Sequence, residues 1–106
     1  MTEAALQILI ALADGEKHGY AIMREVTART DGRVKLYPGT LYSNIKRLLA
    51  DGLIDELDER PEADDERRRY YRLSRAGRNA AKAEIDRLDA IVRTARAAGL
   101  ALKGRG

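Results

Sequence analysis

Hydrophobic and polar positions divide this 106-residue chain into helix-like and strand-like stretches. The first stretch, residues 4–13, is apolar all round except for Gln7, and Thr2 precedes it as an N-cap. This predicts a helix from about residue 2 to 13. A helix that is apolar on every side is buried on every side, and a small domain covers only one of them. We therefore expect the other side to meet a second copy of the chain.

Two further helices follow. The second is predicted over residues 18–30. Residues 33–37 then alternate between polar and apolar side chains, which is the pattern of a short strand. Pro38 suits the first position of a third helix over residues 38–50, and an Asp-Gly pair follows both helices.

The last third of the chain predicts a hairpin and a long helix. Residues 53–59 and 68–73 are expected to form two strands, joined by a polar tip that is rich in acidic residues. Ser74 then caps a helix that reaches about Ala98. Its apolar residues recur with spacings of 4, 3, 4 and 3, a short heptad-like stripe.

Two apolar faces thus need cover, one on the first helix and one on the last. The last helix could fold back on its own domain, but the two faces could also cover each other across a two-fold axis. We therefore predict a homodimer. Its contact residues are expected to be Leu6, Ile10, Ala81, Ile85, Leu88, Val92 and Ala95.

The element order is three helices, a hairpin and a long helix. It predicts a mainly α fold with a small β-hairpin wing, a winged helix-turn-helix followed by a long C-terminal dimerisation helix. Residues 1–76 would form the winged-helix DNA-binding domain and residues 77–98 the dimerisation helix packed on it. Residues 99–106 would form a flexible tail.

Composition narrows the function classes. A hydrophobic fraction of 44% with 35% charged residues indicates a globular protein, and the longest apolar run is too short to cross a bilayer. With no cysteine and one histidine, neither a thiolate nor a histidine-cluster metal site is expected. We expect a cytoplasmic protein with no cofactor, no metal and no membrane partner.

The net charge of +3 hides a strong segregation of charges. Residues 32–50, 67–83 and 90–106 contain no acidic residue and hold four, seven and four basic residues, fifteen of the twenty in the chain. Local basic density favours polyanion binding, because released counterions drive the association with phosphates. A solvated surface with charges in blocks is the alternative.

The third helix has two different faces. Spacing of 100° per residue gathers its apolar residues in one arc, with Tyr42 at the edge, where a core-rim role is the alternative to a DNA contact. The opposite arc has no carboxylate and consists of Thr40, Ser43, Asn44, Lys46 and Arg47. Asn suits adenine and Arg suits guanine in a major groove, whereas an ordinary exposed polar face is the alternative.

The return strand of the hairpin carries Arg67, Arg68 and Arg69. A wing beside a recognition helix can place such cations on the flanking DNA backbone. The acidic residues at 62–66 either keep the tip away from phosphates or pair with the arginines.

Four motifs in this order resemble the PadR family of bacterial transcriptional regulators, over about residues 6–77. They are His18-Gly19-Tyr20, then Gly39-Thr40-Leu41-Tyr42 with Lys46-Arg47-Leu48, then Asp51-Gly52-Leu53-Ile54, and Arg68-Arg69-Tyr70-Tyr71-Arg72-Leu73-Ser74. The family more often has Thr at the position of Ser74. The resemblance implies a homodimer on a roughly palindromic operator, usually repressing transcription, with some members released by small molecules. It also implies that Tyr20, Gly39, Thr40 and Tyr42 contact phosphates or frame the recognition helix.

The prediction is therefore a sequence-specific DNA-binding transcriptional regulator, a repressor. Helix 38–50 would enter the major groove, and the 53–73 wing would lie on the flanking backbone. The candidate DNA-binding residues are Tyr20, Lys35, Gly39, Thr40, Tyr42, Ser43, Asn44, Lys46, Arg47, Arg67, Arg68 and Arg69. A winged-helix protein–protein interaction module without specific DNA binding is the alternative.

An enzyme is not expected, because the chain has no glycine-rich phosphate loop and no nucleophile constellation. No separate ligand domain is predicted either. A small-molecule effector, where one exists, is therefore expected at the dimer interface.

Overall fold

Four helices and a three-stranded antiparallel sheet form the part of the chain that the computed structural model describes, residues 1–57 and 69–100. In chain order they are α1 (Glu3–Ala11), β1 (Lys17–His18), α2 (Gly19–Arg29), α3 (Pro38–Ala50), β2 (Ile54–Leu57), β3 (Tyr70–Leu73) and α4 (Arg75–Ala97). This mainly α architecture with a small β-hairpin confirms the predicted fold class. The tip of the hairpin, with its acidic residues, lies outside the described residues, as do residues 101–106.

Side-chain caps explain where three of the helices begin. Thr2, His18 and Ser74 each accept a hydrogen bond from the backbone N–H three residues later, at 3.1, 3.1 and 2.9 Å. Each thereby satisfies one of the N–H groups that a helix start leaves without an acceptor. α3 has no side-chain cap and begins instead with Pro38, as its sequence predicts.

β3 is the central strand of the sheet. It pairs with β2 in the predicted hairpin, with Ile54 opposite Leu73, and on its other side it pairs with β1, where His18 lies opposite Tyr70. β1 has no signal in the sequence, because two residues are too few for a periodic pattern to show.

The strand predicted over residues 33–37 is wrong. This segment is irregular, and its alternation arises because Leu36 enters the core and Val34 packs against it. The Thr30 hydroxyl holds the segment by accepting a hydrogen bond from the Val34 N–H at 3.0 Å. Alternating burial therefore gave the pattern of a strand, although none of the strands in the described residues pairs with this segment.

The core lies between α1, α2, α3, the sheet and the first turns of α4. α1 packs against all three other helices, so Leu6, Ile8 and Leu9 are buried within their own chain. The expectation that α1 leaves an apolar side uncovered is therefore wrong, because the start of α4 folds back and covers it.

α4 changes character along its length. Gly77 and Ala81 are buried in the core, whereas the residues from Ile85 to Thr94 are all exposed. The boundary predicted between residues 76 and 77 thus falls in the first turn of a continuous helix. The dimerisation role of residues 77–98 remains a prediction.

Candidate nucleic-acid interface

α3 presents its polar side to solvent. Leu41, Ile45 and Leu48 are buried, and the opposite arc exposes Thr40, Ser43, Lys46 and Arg47. Lys46 and Arg47 form no ion pair with any carboxylate in the part of the chain that the structure describes. The face therefore offers two unpaired cations and short hydroxyl groups, the donors that base edges and phosphates accept.

Asn44 and Ser43 are held by the backbone of their own helix. The Asn44 Nδ2 donates to the Thr40 carbonyl oxygen at 2.9 Å, and the Ser43 hydroxyl donates to the same oxygen at 3.2 Å. Asn44 is also partly buried. This hydrogen bond uses one of the two N–H donors of the amide, so a bidentate base contact would use the other N–H and the Oδ1 atom.

Tyr42 lies at the edge of the apolar arc of α3, where its side chain is partly open to solvent. Its side chain is 48% exposed, and its hydroxyl lies over Gly19 at the start of α2. The close approach needs a glycine, because a Cβ atom at this position would be 2.5 Å from the Tyr42 oxygen. This contact joins the exposed face of α3 to the first turn of α2.

The first turn of α3 is open to solvent. Gly39 and Thr40 are exposed, and no atom would meet a Cβ placed on Gly39. Without a side-chain cap, the N–H groups of this turn and the positive end of the helix dipole can receive a phosphate oxygen. Lys35 is exposed in the irregular segment that leads into this turn.

Tyr37 was missed by the sequence analysis. It is the N-cap residue of α3 and is 65% exposed, so an aromatic ring stands beside the open first turn. The sequence did contain a signal for Tyr37. Pro38 marks the first residue of α3, so the tyrosine directly before it takes the N-cap position. This signal was obscured because residues 33–37 were interpreted as a strand.

Aromatic and basic side chains also lie together at the start of α2. The Tyr20 ring is 52% exposed and parallel to the His18 imidazole, with centroids 6.5 Å apart. The Arg24 guanidinium lies 5.6 Å from the centroid of the Tyr20 ring, and the Tyr70 ring meets His18 edge-on at 5.3 Å. Arg24 was also missed, because no strand, cap or motif pointed to it.

The wing is less basic than its sequence indicates. The antiparallel register places Asp55 opposite Arg72, and the two side chains approach to 3.8 Å. Arg69 approaches Glu56 to 3.4 Å. Residues 67–83 contain no acidic residue, but strand pairing brings the carboxylates of β2 close to the arginines of β3 and its flanking residue Arg69. Arg67 and Arg68 lie outside the described residues.

The predicted dimer residues fall into two groups. Leu6 and Ala81 belong to the core of their own chain, and Ile10 and Ala95 are partly buried. Ile85, Leu88 and Val92 are exposed, and Ile91 extends the same apolar strip. Between α1 and α4 a groove of about 320 Å³ is lined by Met1, Thr2, Glu3, Leu6, Gln7, Glu84, Arg87 and Leu88.

Glu84 and Arg87 form an ion pair in this groove, with Arg87 Nη2 2.7 Å from Glu84 Oε2. The hydrogen bond from Arg87 lowers the pKa of Glu84, so the carboxylate is charged at neutral pH. Within residues 1–57 and 69–100, no cluster of His, Cys, Asp and Glu could hold a metal ion, and no helix is long and apolar enough to cross a membrane.

Comparison with known proteins identifies relatives of this chain. The model of the transcriptional regulator PadR-like family matches residues 8–83. Transcriptional regulator Rv3488 of Mycobacterium tuberculosis is 40% identical over 88 residues, which are 83% of this chain and 78% of Rv3488.

Solved structures share the fold. A transcriptional regulator from Clostridium thermocellum, Cth-833, superposes with a TM-score of 0.75 at 26% identity, over 88% of this chain and 86% of that one. Bacillus subtilis PadR in complex with operator DNA has a TM-score of 0.67 at 21% identity, over 76% of this chain and 45% of PadR. The family match confirms the resemblance seen in the motifs: this chain belongs to the PadR-like family of transcriptional regulators, which are not enzymes.

Proposed function

We propose that this chain is a sequence-specific DNA-binding repressor that binds a palindromic operator as a homodimer. α3 enters the major groove, and the wing formed by β2, β3 and their connection lies on the flanking backbone. One observation carries this proposal: the exposed face of α3 has two hydroxyl groups, no carboxylate and two cations that pair with no acidic residue in the described part of the chain.

This face also distinguishes the proposal from its alternative. A winged helix that binds another protein should expose apolar side chains on α3, because interface centres are depleted in charged residues and rich in aromatic ones. Among the large hydrophobic residues of α3, only Tyr42 is exposed, and it ends in a hydroxyl group. The composition of the face favours nucleic acid.

The dimer follows from the second half of α4. Ile85, Leu88, Ile91 and Val92 are between 38% and 52% exposed. Exposed apolar residues that follow a helical repeat favour pairing with another helix. Two recognition helices can occupy major grooves one DNA turn apart only if a rigid interface sets their spacing. α4 extends about 35 Å and supplies such a rigid element.

Footprinting of the purified protein on the DNA upstream of its own gene tests the proposal. We expect a protected site with two-fold symmetry, and binding that weakens steeply with added salt. Arg47→Ala should change the sequence preference and cost about 1–3 kcal/mol in binding free energy, the value of a bidentate base contact. Arg68→Ala should weaken all sequences alike and flatten the salt dependence.

Arg93→Ala provides the matched control. Arg93 is an exposed arginine of α4 that lies about 100° around the helix from Val92, so this variant loses the same charge outside both the face of α3 and the apolar strip of α4. No protection on any upstream fragment, or binding that salt does not change, would instead support the protein–protein module.

We propose that an effector, where one acts, enters the groove between α1 and α4. The groove combines apolar walls from Leu6 and Leu88 with the charged pair Glu84 and Arg87, so it offers both burial and polar anchoring.

A reporter gene placed downstream of the operator tests repression, and its expression should rise when Arg47→Ala replaces the wild-type protein. A ligand that relieves repression should lose its effect in Leu88→Arg, provided that this variant still binds DNA.

A further inference from the structure

Arg24 is stacked against an aromatic ring on the surface of α2. It lies four residues after Tyr20, one helical turn, and its guanidinium carbon is 5.6 Å from the centroid of the Tyr20 ring. The Tyr20 ring is in turn parallel to the His18 imidazole within 9°. Imidazole, phenol and guanidinium therefore form a row of three planar groups.

The His18 imidazole, at one end of this row, is held by a hydrogen bond to the backbone. His18 Nδ1 accepts a hydrogen bond from the Ala21 N–H at 3.1 Å, which sets the orientation of the imidazole ring. The Tyr70 ring packs against the same imidazole edge-on. A guanidinium that rests on a held aromatic ring loses less side-chain entropy when it binds an anion.

The donors of Arg24 have no acidic partner among the described residues, in contrast to those of its neighbours. The adjacent Glu25 pairs with Arg29 at 2.6 Å and with Lys17 at 3.5 Å, on the other side of the helix from Tyr20. Arg24 is exposed and forms no ion pair with a described carboxylate. A guanidinium group presents five N–H donors in a plane. The Arg24 side chain at the end of the row can therefore donate several hydrogen bonds to one anion.

The row continues the exposed face of α3. Gly19, the residue between His18 and Tyr20, lies directly under the hydroxyl of Tyr42. The start of α2 thus adjoins the exposed face of α3, and Arg24 follows one helical turn after Tyr20.

We propose that Arg24, held on the Tyr20 ring, binds a backbone phosphate of the operator and so positions α3 in the groove. The inference rests on the proposed function and adds to it a residue that neither the motifs nor the charge windows indicate. Tyr20 acts here through its ring, which holds the arginine, and Arg24 is the positioning residue.

The test measures DNA affinity over a series of salt concentrations, with the operator fragment and with a scrambled duplex of equal length. Arg24→Ala should weaken both complexes about tenfold, the effect of one charge-assisted contact. It should also lower the slope of log K against log salt by about one unit, since one phosphate contact is lost. Arg24→Lys keeps the charge but not the planar group, so it should retain the slope and lose part of the affinity.

Two substitutions of Tyr20 separate its ring from its hydroxyl. Tyr20→Phe keeps the stacked ring and should therefore lose less affinity than Tyr20→Leu, which removes the ring. Because the ring acts through the arginine, the double variant Y20L/R24A should be no weaker than R24A alone. Equal losses in Tyr20→Phe and Tyr20→Leu would show that the hydroxyl matters instead, and would overturn the stacking role.

The control is again Arg93→Ala, and thermal unfolding of each variant checks that the fold is unchanged. If the wild type binds its operator but Arg24→Ala and Arg93→Ala behave alike, this inference fails and the proposed function stands. If the wild type binds no DNA, both fail.

Discussion

The hydroxyl of Tyr42 packs over the Cα atom of Gly19, at a distance that leaves no room for a side chain on Gly19. The contact joins the first turn of α2 to the middle of α3. It is made by the far end of a half-exposed side chain, so it can be disturbed without opening the core.

Gly19→Ala should therefore separate folding from binding. We expect the Tyr42 ring to move aside, with a change in unfolding free energy below about 1 kcal/mol, because alanine also favours the helix. Operator affinity should fall, because the moved ring no longer frames the reading face. Urea unfolding and anisotropy titration on the same sample measure the two quantities. An unchanged affinity would reduce the contact to simple packing.

Gly77→Ala should have the opposite result. A Cβ atom on Gly77 would clash with the backbone carbonyl of Leu53, which cannot turn away as a side chain can. We expect a loss of stability of about 3 kcal/mol or more, at the upper end of overpacking effects. Gly39→Ala is the matched control, because Gly39 also lies in the first turn of a helix but faces open space. It should gain about 0.5–1 kcal/mol.

Val92→Glu tests the dimer. A carboxylate in the exposed apolar strip of α4 should be buried without a partner in any helix–helix contact, so light scattering should show a shift toward monomer. Ala90→Glu places the same group about 160° away around the helix and should leave the mass unchanged. A Val92→Glu protein with wild-type mass would exclude this strip as the dimer contact.

The buried phenol of Tyr71 should make the free energy of unfolding fall at alkaline pH. Burial raises the pKa of the Tyr71 phenol, and the Glu56 carboxylate acts in the same direction. The fold therefore favours the neutral phenol, and this contribution to stability is present below the ordinary tyrosine pKa of about 10 and is lost as the pH rises through the folded-state value. Tyr71→Phe keeps the ring, so its unfolding free energy should fall less than that of the wild type above about pH 10. Parallel pH profiles would contradict this prediction.

The helices could be predicted because their signals are local. The cap at Ser74 and the proline at Pro38 each mark a boundary within a few residues of sequence, and the structure begins α4 and α3 there. The buried and exposed arcs of α3 followed from the helical repeat alone. The helical repeat also placed Tyr42 at the edge of the buried arc, but it could not show that its hydroxyl would pack over Gly19, because that contact joins two helices.

The charges of the site could be predicted only in part, for the same reason. Position along the chain identified Lys46 and Arg47, which lie on one helix and remain unpaired by described acids. It could not show that Asp55 would face Arg72, because the register of two strands decides that pairing. Nor could it identify Arg24, whose role depends on a ring one turn away and on what α2 packs against.

The position of β3 between β1 and β2 has a mechanical consequence. β1 leads directly into α2, so the wing and the first turn of α2 are attached to opposite edges of the same strand. β2 and the start of α2 therefore cannot tilt independently, because a displacement of β3 would move both of the strands that are hydrogen-bonded to it.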